Sequence, residues 1–306
     1  MEVHSSTASE ILPRLPYAIG CPIWACDRWK GTLFTRRASR SEWLAQYSAV
    51  FNTVEGNSTF YGLPTRDALE RWTTESAPGF QFALKFPRAI SHEHRLSGAS
   101  HVSGAFLEIL EKLAAANRLG PSFLQLPPNF TGREWQALEA YLRSLPQSFP
   151  YALEVRHPDF FDGGVHELRL DSLLRELQID RVLLDSRPLF SAPPADGAEA
   201  GAQQRKPKSP HRTTITGPRP FVRIIGKNDV PAMAPWLREW AQITAQWLDQ
   251  GLTPYIFTHT PDDIFAPHAA RCFHEALSQF VAGLPDFPPW PGEQETKQTP
   301  TQQRLF

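Results

Sequence analysis

The chain lacks the features that mark most specialised protein classes. Its three cysteines, Cys21, Cys26 and Cys272, are an odd count with no CxxC pair. That argues against a disulfide framework and for a reducing compartment. An excess of charge of one sign is missing too. Lys and Arg total 31 against 32 Asp and Glu, a net charge of −1, so contacts with nucleic acid or a membrane must come from local patches. No run approaches the roughly eighteen apolar residues of a membrane helix. The first twenty residues have no basic start followed by an apolar core, so no signal peptide is expected. No glycine-rich phosphate turn follows the first apolar run. Zinc-ligand spacing is absent as well: "SHEHRL" sets His92 and His94 two apart, and "FTHTPDD" offers His259, Asp262 and Asp263, neither a recognised motif. The expectation is a cytoplasmic protein with no membrane contact, no metal and no cofactor.

What is present is a regular alternation. With 306 residues, 41% hydrophobic and 21% charged, the composition is that of a globular protein. Eight short apolar runs read as strands: "YAIGC", "FNTVEGN", "FQFALKF", "SFLQLPP", "YALEVRH", "DRVLLDS", "FVRIIG" and "PYIFTHT". Between them lie helical periods such as Phe106, Ile109, Leu110, Leu113 and Leu170, Leu173, Leu174, Leu177. Trp236, Trp240, Ile243 and Trp247 form a broader stripe read as core. Ser41 and Thr65 are expected N-caps of the first two helices, and Gly120-Pro121 and Gly251 stop helices before strands four and eight. Eight strands with intervening helices predict a single TIM-type (β/α)8 barrel over residues 17–285, with an open doubly wound sheet as the alternative. Residues 1–16 read as an N-terminal extension. Residues 191–219, rich in Ala, Pro, Gly and Gln, read as an irregular, flexible, basic loop between strands six and seven. Residues 286–306 read as a disordered tail.

The strand ends carry the chemistry. Side chains alternate along a strand, so in strand five Leu153 and Val155 face away from Ala152, Glu154 and Arg156. The charged set is expected inside the barrel near its top. The same reasoning directs Glu55 and Asn57, Lys85, Gln125, Asp185, Arg223 and His259 to the C-terminal mouth, where barrel enzymes place their sites. Three carboxylates then face three cations and a histidine. One reading is a salt-bridge network sealing the barrel top, although burying charges only for stability is a poor arrangement. The other is a polar pocket in which Lys85, Arg156 and Arg223 bind an anion while Glu154, Glu55, Asp185 or His259 moves protons. Paired carboxylates also fit a glycosidase. Cys21 and Cys26 read as packed thiols. Phe60, Tyr61, Trp24 and Trp29 are rim aromatics, suited to packing or to stacking on a ring. The run "QRKPKSPHR" puts Arg205, Lys206, Lys208 and Arg212 in the loop after strand six, either solvated or overhanging the mouth as phosphate ligands.

Several of these motifs, in order, resemble the YecE-like family, domain of unknown function 72. They are "IGCPIWACDRWKG", "VEGNSTFYGLP", "LGPSFLQLPPNF", "ALEVRHPDFF", "FVRIIG" and the Ala266-Pro267 pair, spanning about residues 17 to 283. The resemblance implies a TIM-type barrel and brings no established reaction. It implies polar positions at Glu55, Asn57, Tyr61, Lys85, His92, Gln125, Glu154, Arg156, His157, Asp185 and Arg223. The chain departs from the family at Ile225, where His is usual, near Thr258 and His259, where Asn is usual, and at Cys21, Pro22 and Ile23.

The expected function is therefore a barrel enzyme of hydrolase-type acid/base chemistry on a phosphate-bearing substrate, a phosphorylated small molecule, nucleotide or nucleic acid. A carbohydrate hydrolase or isomerase and a non-catalytic nucleic-acid-binding or scaffold protein are the rivals. The terminal "QQRLF" is similar to the pentapeptide that docks repair proteins on the bacterial sliding clamp. That resemblance implies a partner site at Gln302, Leu305 and Phe306, with Gln303 a departure from the usual Leu.

Overall fold

Each of the eight apolar runs forms a strand, and seven helical segments of matching period or capping separate them. The structure is a computed structural model describing residues 15–298; Gln302, Leu305 and Phe306 lie outside the described residues. In chain order the elements are β1 Ala18–Gly20, α1 Trp43–Ser48, β2 Thr53–Gly56, α2 Arg66–Glu75, β3 Gln81–Leu84, α3 Ser100–Ala115, β4 Ser122–Gln125 and α4 Trp135–Ser144. There follow β5 Tyr151–Glu154, α5 Val165–Glu176, β6 Asp180–Asp185, α6 Gly197–Arg205, β7 Phe221–Ile225, α7 Ala234–Asp249, β8 Tyr255–His259, α8 Ala266–Ser278 and α9 Pro291–Gln298. All pairings are parallel. They make a curled six-stranded sheet in the order β1-β8-β7-β6-β5-β4 and a two-stranded sheet β2-β3.

The two sheets meet at both flanks through isolated backbone bonds. Glu55 N–H donates to the Cys21 carbonyl at 3.0 Å, and Phe86 N–H donates to the Phe123 carbonyl at 3.0 Å. At the first flank Gly20 is required, since a Cβ there would sit 2.2 Å from the Thr53 carbonyl oxygen. Inside the curl, Ala18, Ala83, Phe123, Ala152, Val182, Phe221, Tyr255 and Phe257 form a separate apolar layer. Small residues on some strands leave room for the rings on others, so that the inside of the curl is filled. The larger core lies outside it, between sheet and helices, and takes up the predicted stripes of α3 and α5 and, on α7, Trp240, Ile243 and Trp247; Trp236, expected in that stripe, is half-buried outside it.

The capping expectations divide. Thr65 caps α2, its Oγ1 accepting from Ala68 N–H at 3.2 Å. Ser41 does not cap the first helix. The reciprocal bonds run instead between Ser39 and Glu42, with Ser39 N–H donating to Glu42 Oε2 at 2.8 Å.

Two segments expected to be unstructured are built into the fold. Residues 191–219 contain α6, capped by Asp196 Oδ1 accepting from Glu199 N–H at 2.8 Å. Ala202 of α6 packs with Leu184, Leu189 and Ile225 across the C-terminal end of the sheet. The basic run is tied down as well. Arg212 donates to Glu167 at 2.8 and 3.2 Å, and Lys208 Nζ lies 5.0 Å from the Phe190 ring centroid. Thr216 Oγ1 accepts from Arg181 N–H at 2.8 Å. The tail is ordered through α9: Trp290 is fully buried, Arg271 lies 3.5 Å over its ring, and Arg271 pairs with Glu293 at 2.9 Å. Among the described residues no helix is long and apolar enough to cross a membrane.

Candidate functional site at the C-terminal mouth

The mouth is organised by one guanidinium. Arg223, on β7, is 3% exposed and bonds two carboxylates from distant strands. Its Nε and Nη2 donate to Glu55 Oε2 and Oε1, each at 2.7 Å, and its Nη1 donates to Glu154 Oε2. Glu55 and Glu154 have no solvent exposure. Burial alone would raise their pKa values, but the Arg223 charge outweighs it. Glu55 is held well below the usual carboxylate range, and Glu154, with Arg156 added, is lowered to about 2. Arg223 is thereby committed to the protein, with every guanidinium nitrogen on a carboxylate.

Around this knot the remaining predicted residues divide by partner. Asn57 Nδ2 donates to Glu55 Oε1 at 2.7 Å and to the Pro22 carbonyl at 3.1 Å, so it positions the carboxylate. His259 Nε2–H donates to Glu55 Oε2 at 3.1 Å. Burial depresses its pKa to about 4 against the pull of Glu55, so the ring is neutral near pH 7. Arg156 donates to Glu154 Oε1 at 2.7 Å and through Nη2 to Gln125 Oε1 at 2.8 Å. Gln125 Oε1 also accepts from Lys85 Nζ at 2.9 Å. Lys85 is 9% exposed, with its Nζ 4.1 Å from the Phe60 ring centroid. Burial and the nearby Arg223 charge lower its pKa from 10.5 to about 7. His92 stands edge-on to the same ring at 5.1 Å, its pKa lowered to about 4 by burial and by Lys85.

Three predicted residues do not join this cluster. Asp185 points the other way. Leu184 is in register with Arg223 and takes the inward position, so Asp185 faces α7, bonded to Trp240 Nε1 at 2.8 Å and to Arg187 at 2.7 Å. Strict alternation from Val182 through Leu184 places Asp185 on the outer face; reading the acidic strand end as inward was wrong by one residue. His157 closes the turn after β5, its Nδ1 accepting from Asp159 N–H at 3.2 Å. Tyr61 is 83% exposed on the rim, its ring against Phe60 rather than the charges.

Two further residues enter the mouth, one of them from the basic run expected either to overhang it or to stay solvated. Lys206, the first residue after α6, lies within electrostatic reach of Arg223, Glu55, Asp263 and Arg156, and burial lowers its pKa. Its place in the basic run was visible; its inward turn depends on α6 folding across the strand ends. Asp263 sits in the loop after β8 at a left-handed φ of 60°, a strained position for a non-glycine residue that Asp tolerates better than most. Trp29 Nε1 donates to its carbonyl at 3.1 Å. Burial raises the Asp263 carboxyl to about 6, partly offset by Lys206.

The chemistry available follows from these partners. Neither Glu55 nor Glu154 holds a proton near neutrality, so neither is a general acid there. Of the groups in the mouth, Lys85 is lowered to about 7 and Asp263 is raised to about 6, both close to neutrality. Among the described residues Lys85 and Lys206 have no carboxylate within 4.0 Å, and no group of three or more His, Cys, Asp or Glu gathers as metal ligands. Clefts of about 530 and 430 Å3 open elsewhere, one at the N-terminal strand ends by Gln81, Arg219 and Tyr255 and one beside α8 and α9. Over part of the charged mouth lies α6, whose Ala202 packs on Leu184 and Ile225 at the ends of β6 and β7. We place the candidate site there because its amines lack counter-ions, whereas Arg219 in the larger cleft is bonded to Asp180 at 3.0 Å.

Known proteins agree with this architecture. The chain is 38% identical to the UPF0759 protein YecE of Escherichia coli strain K12 over 273 residues, 89% of this chain and 97% of that one. It is 25% identical to the UPF0759 protein YunF of Bacillus subtilis over 152 residues, 47% of this chain and 53% of that one. Crystal structures of DUF72 family proteins from Thermotoga maritima and Enterococcus faecalis superpose with TM-scores of 0.65 at 21% and 16% identity. They cover 86% of this chain and 99% and 95% of theirs. The family described as "Protein of unknown function DUF72" matches residues 18–295, and the chain belongs to that family.

Proposed function

We propose that the eight strands act as one closed barrel and that its C-terminal mouth binds a small phosphate-bearing substrate for acid/base chemistry. Closure is supported by the backbone bonds that flank β2 and β3 on either side. The observation that carries the functional reading is the charge pattern. Arg223 and Arg156 together balance the buried carboxylates of Glu55 and Glu154, while Lys85 and Lys206 add amines with no carboxylate within 4.0 Å among the described residues. An anion that enters completes the set, and buried charges without partners are otherwise hard to explain as stabilisation. Asp263, raised to about 6 by burial, is then a proton donor on the Lys206 side of the mouth. A glycosidase that uses Glu55 and Glu154 as an acid and nucleophile pair is disfavoured, because one guanidinium holds both ionised.

Calorimetric titration of inorganic phosphate, a nucleoside monophosphate and a neutral sugar over a salt series tests the reading. Phosphate ligands should bind and weaken with salt. Lys206→Ala and Arg156→Ala should each cost roughly 1.5–3 kcal/mol of that binding, as for charge-assisted hydrogen bonds. Sugar binding with no phosphate binding would transfer the site to carbohydrate chemistry.

A further inference from the structure

We propose that Lys85 is a catalytic amine that condenses with the carbonyl carbon of a phosphorylated aldehyde or ketone. This names the substrate class of the mouth and rests on the anion-binding reading above. The placement is the argument. Lys85 follows β3 directly on the inner face. Its N–H donates to the Gly56 carbonyl at 3.1 Å and its carbonyl accepts from Thr59 Oγ1 at 2.6 Å. The side chain runs between the rings of Phe60 and Phe123, at 4.1 and 5.9 Å, and its single hydrogen bond goes to a neutral amide, Gln125.

The groups that act on Lys85 come from every side: Arg223 of β7, Glu154 and Arg156 at the end of β5, Glu55 of β2 and His92 of the turn after β3. The carboxylates are held by guanidiniums and do not bond the amine. An amine desolvated beside cations is the arrangement that keeps a lysine nucleophilic near neutral pH, in keeping with its lowering to about 7.

The reaction balances without an oxidant. The Nζ lone pair attacks the carbonyl carbon, and the proton released passes to the oxygen, giving a carbinolamine. A second proton, relayed from solvent through neutral His92, lets that oxygen leave as water. The product is an iminium whose positive charge faces Glu154, and hydrolysis reverses each step. The substrate phosphate occupies the side of Lys206 and Arg156.

Pyridoxal 5′-phosphate and pyridoxal, aldehydes with and without a phosphate, are the probes. Each is incubated with the full chain, reduced with borohydride and mapped by peptide mass spectrometry over the seven lysines. Lys85 should be the fastest-labelled site, half-maximal in rate near pH 7, and about tenfold or more faster with the phosphorylated probe, the factor expected of one phosphate anchor. Lys85→Arg should abolish that label alone. Labelling confined to other lysines, or a Lys85 rate that rises only toward pH 10, would overturn the proposal in the unaltered protein. Fast Lys85 labelling that ignores the probe's phosphate and added inorganic phosphate would leave the amine standing and remove the anion reading.

Discussion

Replacing Arg223 by methionine removes the charge that Glu55 and Glu154 share. Glu154 keeps Arg156 at 2.7 Å, but Glu55 is left with neutral His259 and the Asn57 amide. Taking one member from a buried ionic cluster costs about 3–5 kcal/mol, and the fully buried Glu55 belongs at the upper part of that range. The pH dependence separates this cause from a general packing defect. In the native chain the Glu154 pKa of about 2 lies below its ordinary 4.5. The folded state therefore holds fewer protons than the unfolded state between those values. That contribution, about 3 kcal/mol at 1.36 kcal/mol per unit, is full above pH 4.5 and lost as pH falls through 2. In Arg223→Met the sign reverses for Glu55, since burial now raises its pKa and the folded state takes up a proton first. Urea unfolding followed by tryptophan fluorescence should show the full loss at pH 7.5 and a clearly smaller one at pH 5. Glu55→Gln added to Arg223→Met should restore part of it at pH 7.5. A loss under about 1 kcal/mol, or one equal at both pH values, would refute the electrostatic account.

Other outcomes follow from the same contacts. The folded pKa of Lys85, about 7, lies below its ordinary 10.5, so the unfolded state binds more protons between them and stability rises with pH there. Lys85→Met should therefore gain most over the native chain below pH 7, with about 3 kcal/mol less advantage at pH 9.5 than at pH 6, as read by urea midpoints. Arg212→Ala, which removes the 2.8 and 3.2 Å bonds to Glu167, should speed tryptic cleavage after Lys208; unchanged digestion would mean that packing of α6 alone holds the segment. A 296–306 peptide should bind a bacterial sliding clamp with an affinity on the order of micromolar and lose it in the Leu305→Ala, Phe306→Ala version; equal binding, or none, by both would end the tail proposal.

Most of the frame was legible because it depends on local patterns. Period-two alternation and turn residues located all eight strands, and parity assigned Glu55, Lys85, Gln125, Glu154, Arg156, Arg223 and His259 to one mouth. Asp185 shows the limit of that rule: an acidic strand end was preferred to the alternation, and the apolar Leu184 took the inward place. Helix α6 was missed because its Gly, Ala and Gln have no apolar period. It is a helix through its Asp196 cap and through Ala202 packing on Leu184 and Ile225, partners the local sequence does not contain. The roles inside the mouth were also beyond the sequence. Which carboxylate meets which cation is a contact between residues 168 positions apart for Glu55 and Arg223. Because Arg223 satisfies both glutamates, the expected acids are ionised anchors, whereas Lys85 and Asp263 are shifted toward neutrality. A residue's type and strand position are written in the chain, but its protonation state depends on burial and on neighbouring charge, which only the folded arrangement supplies.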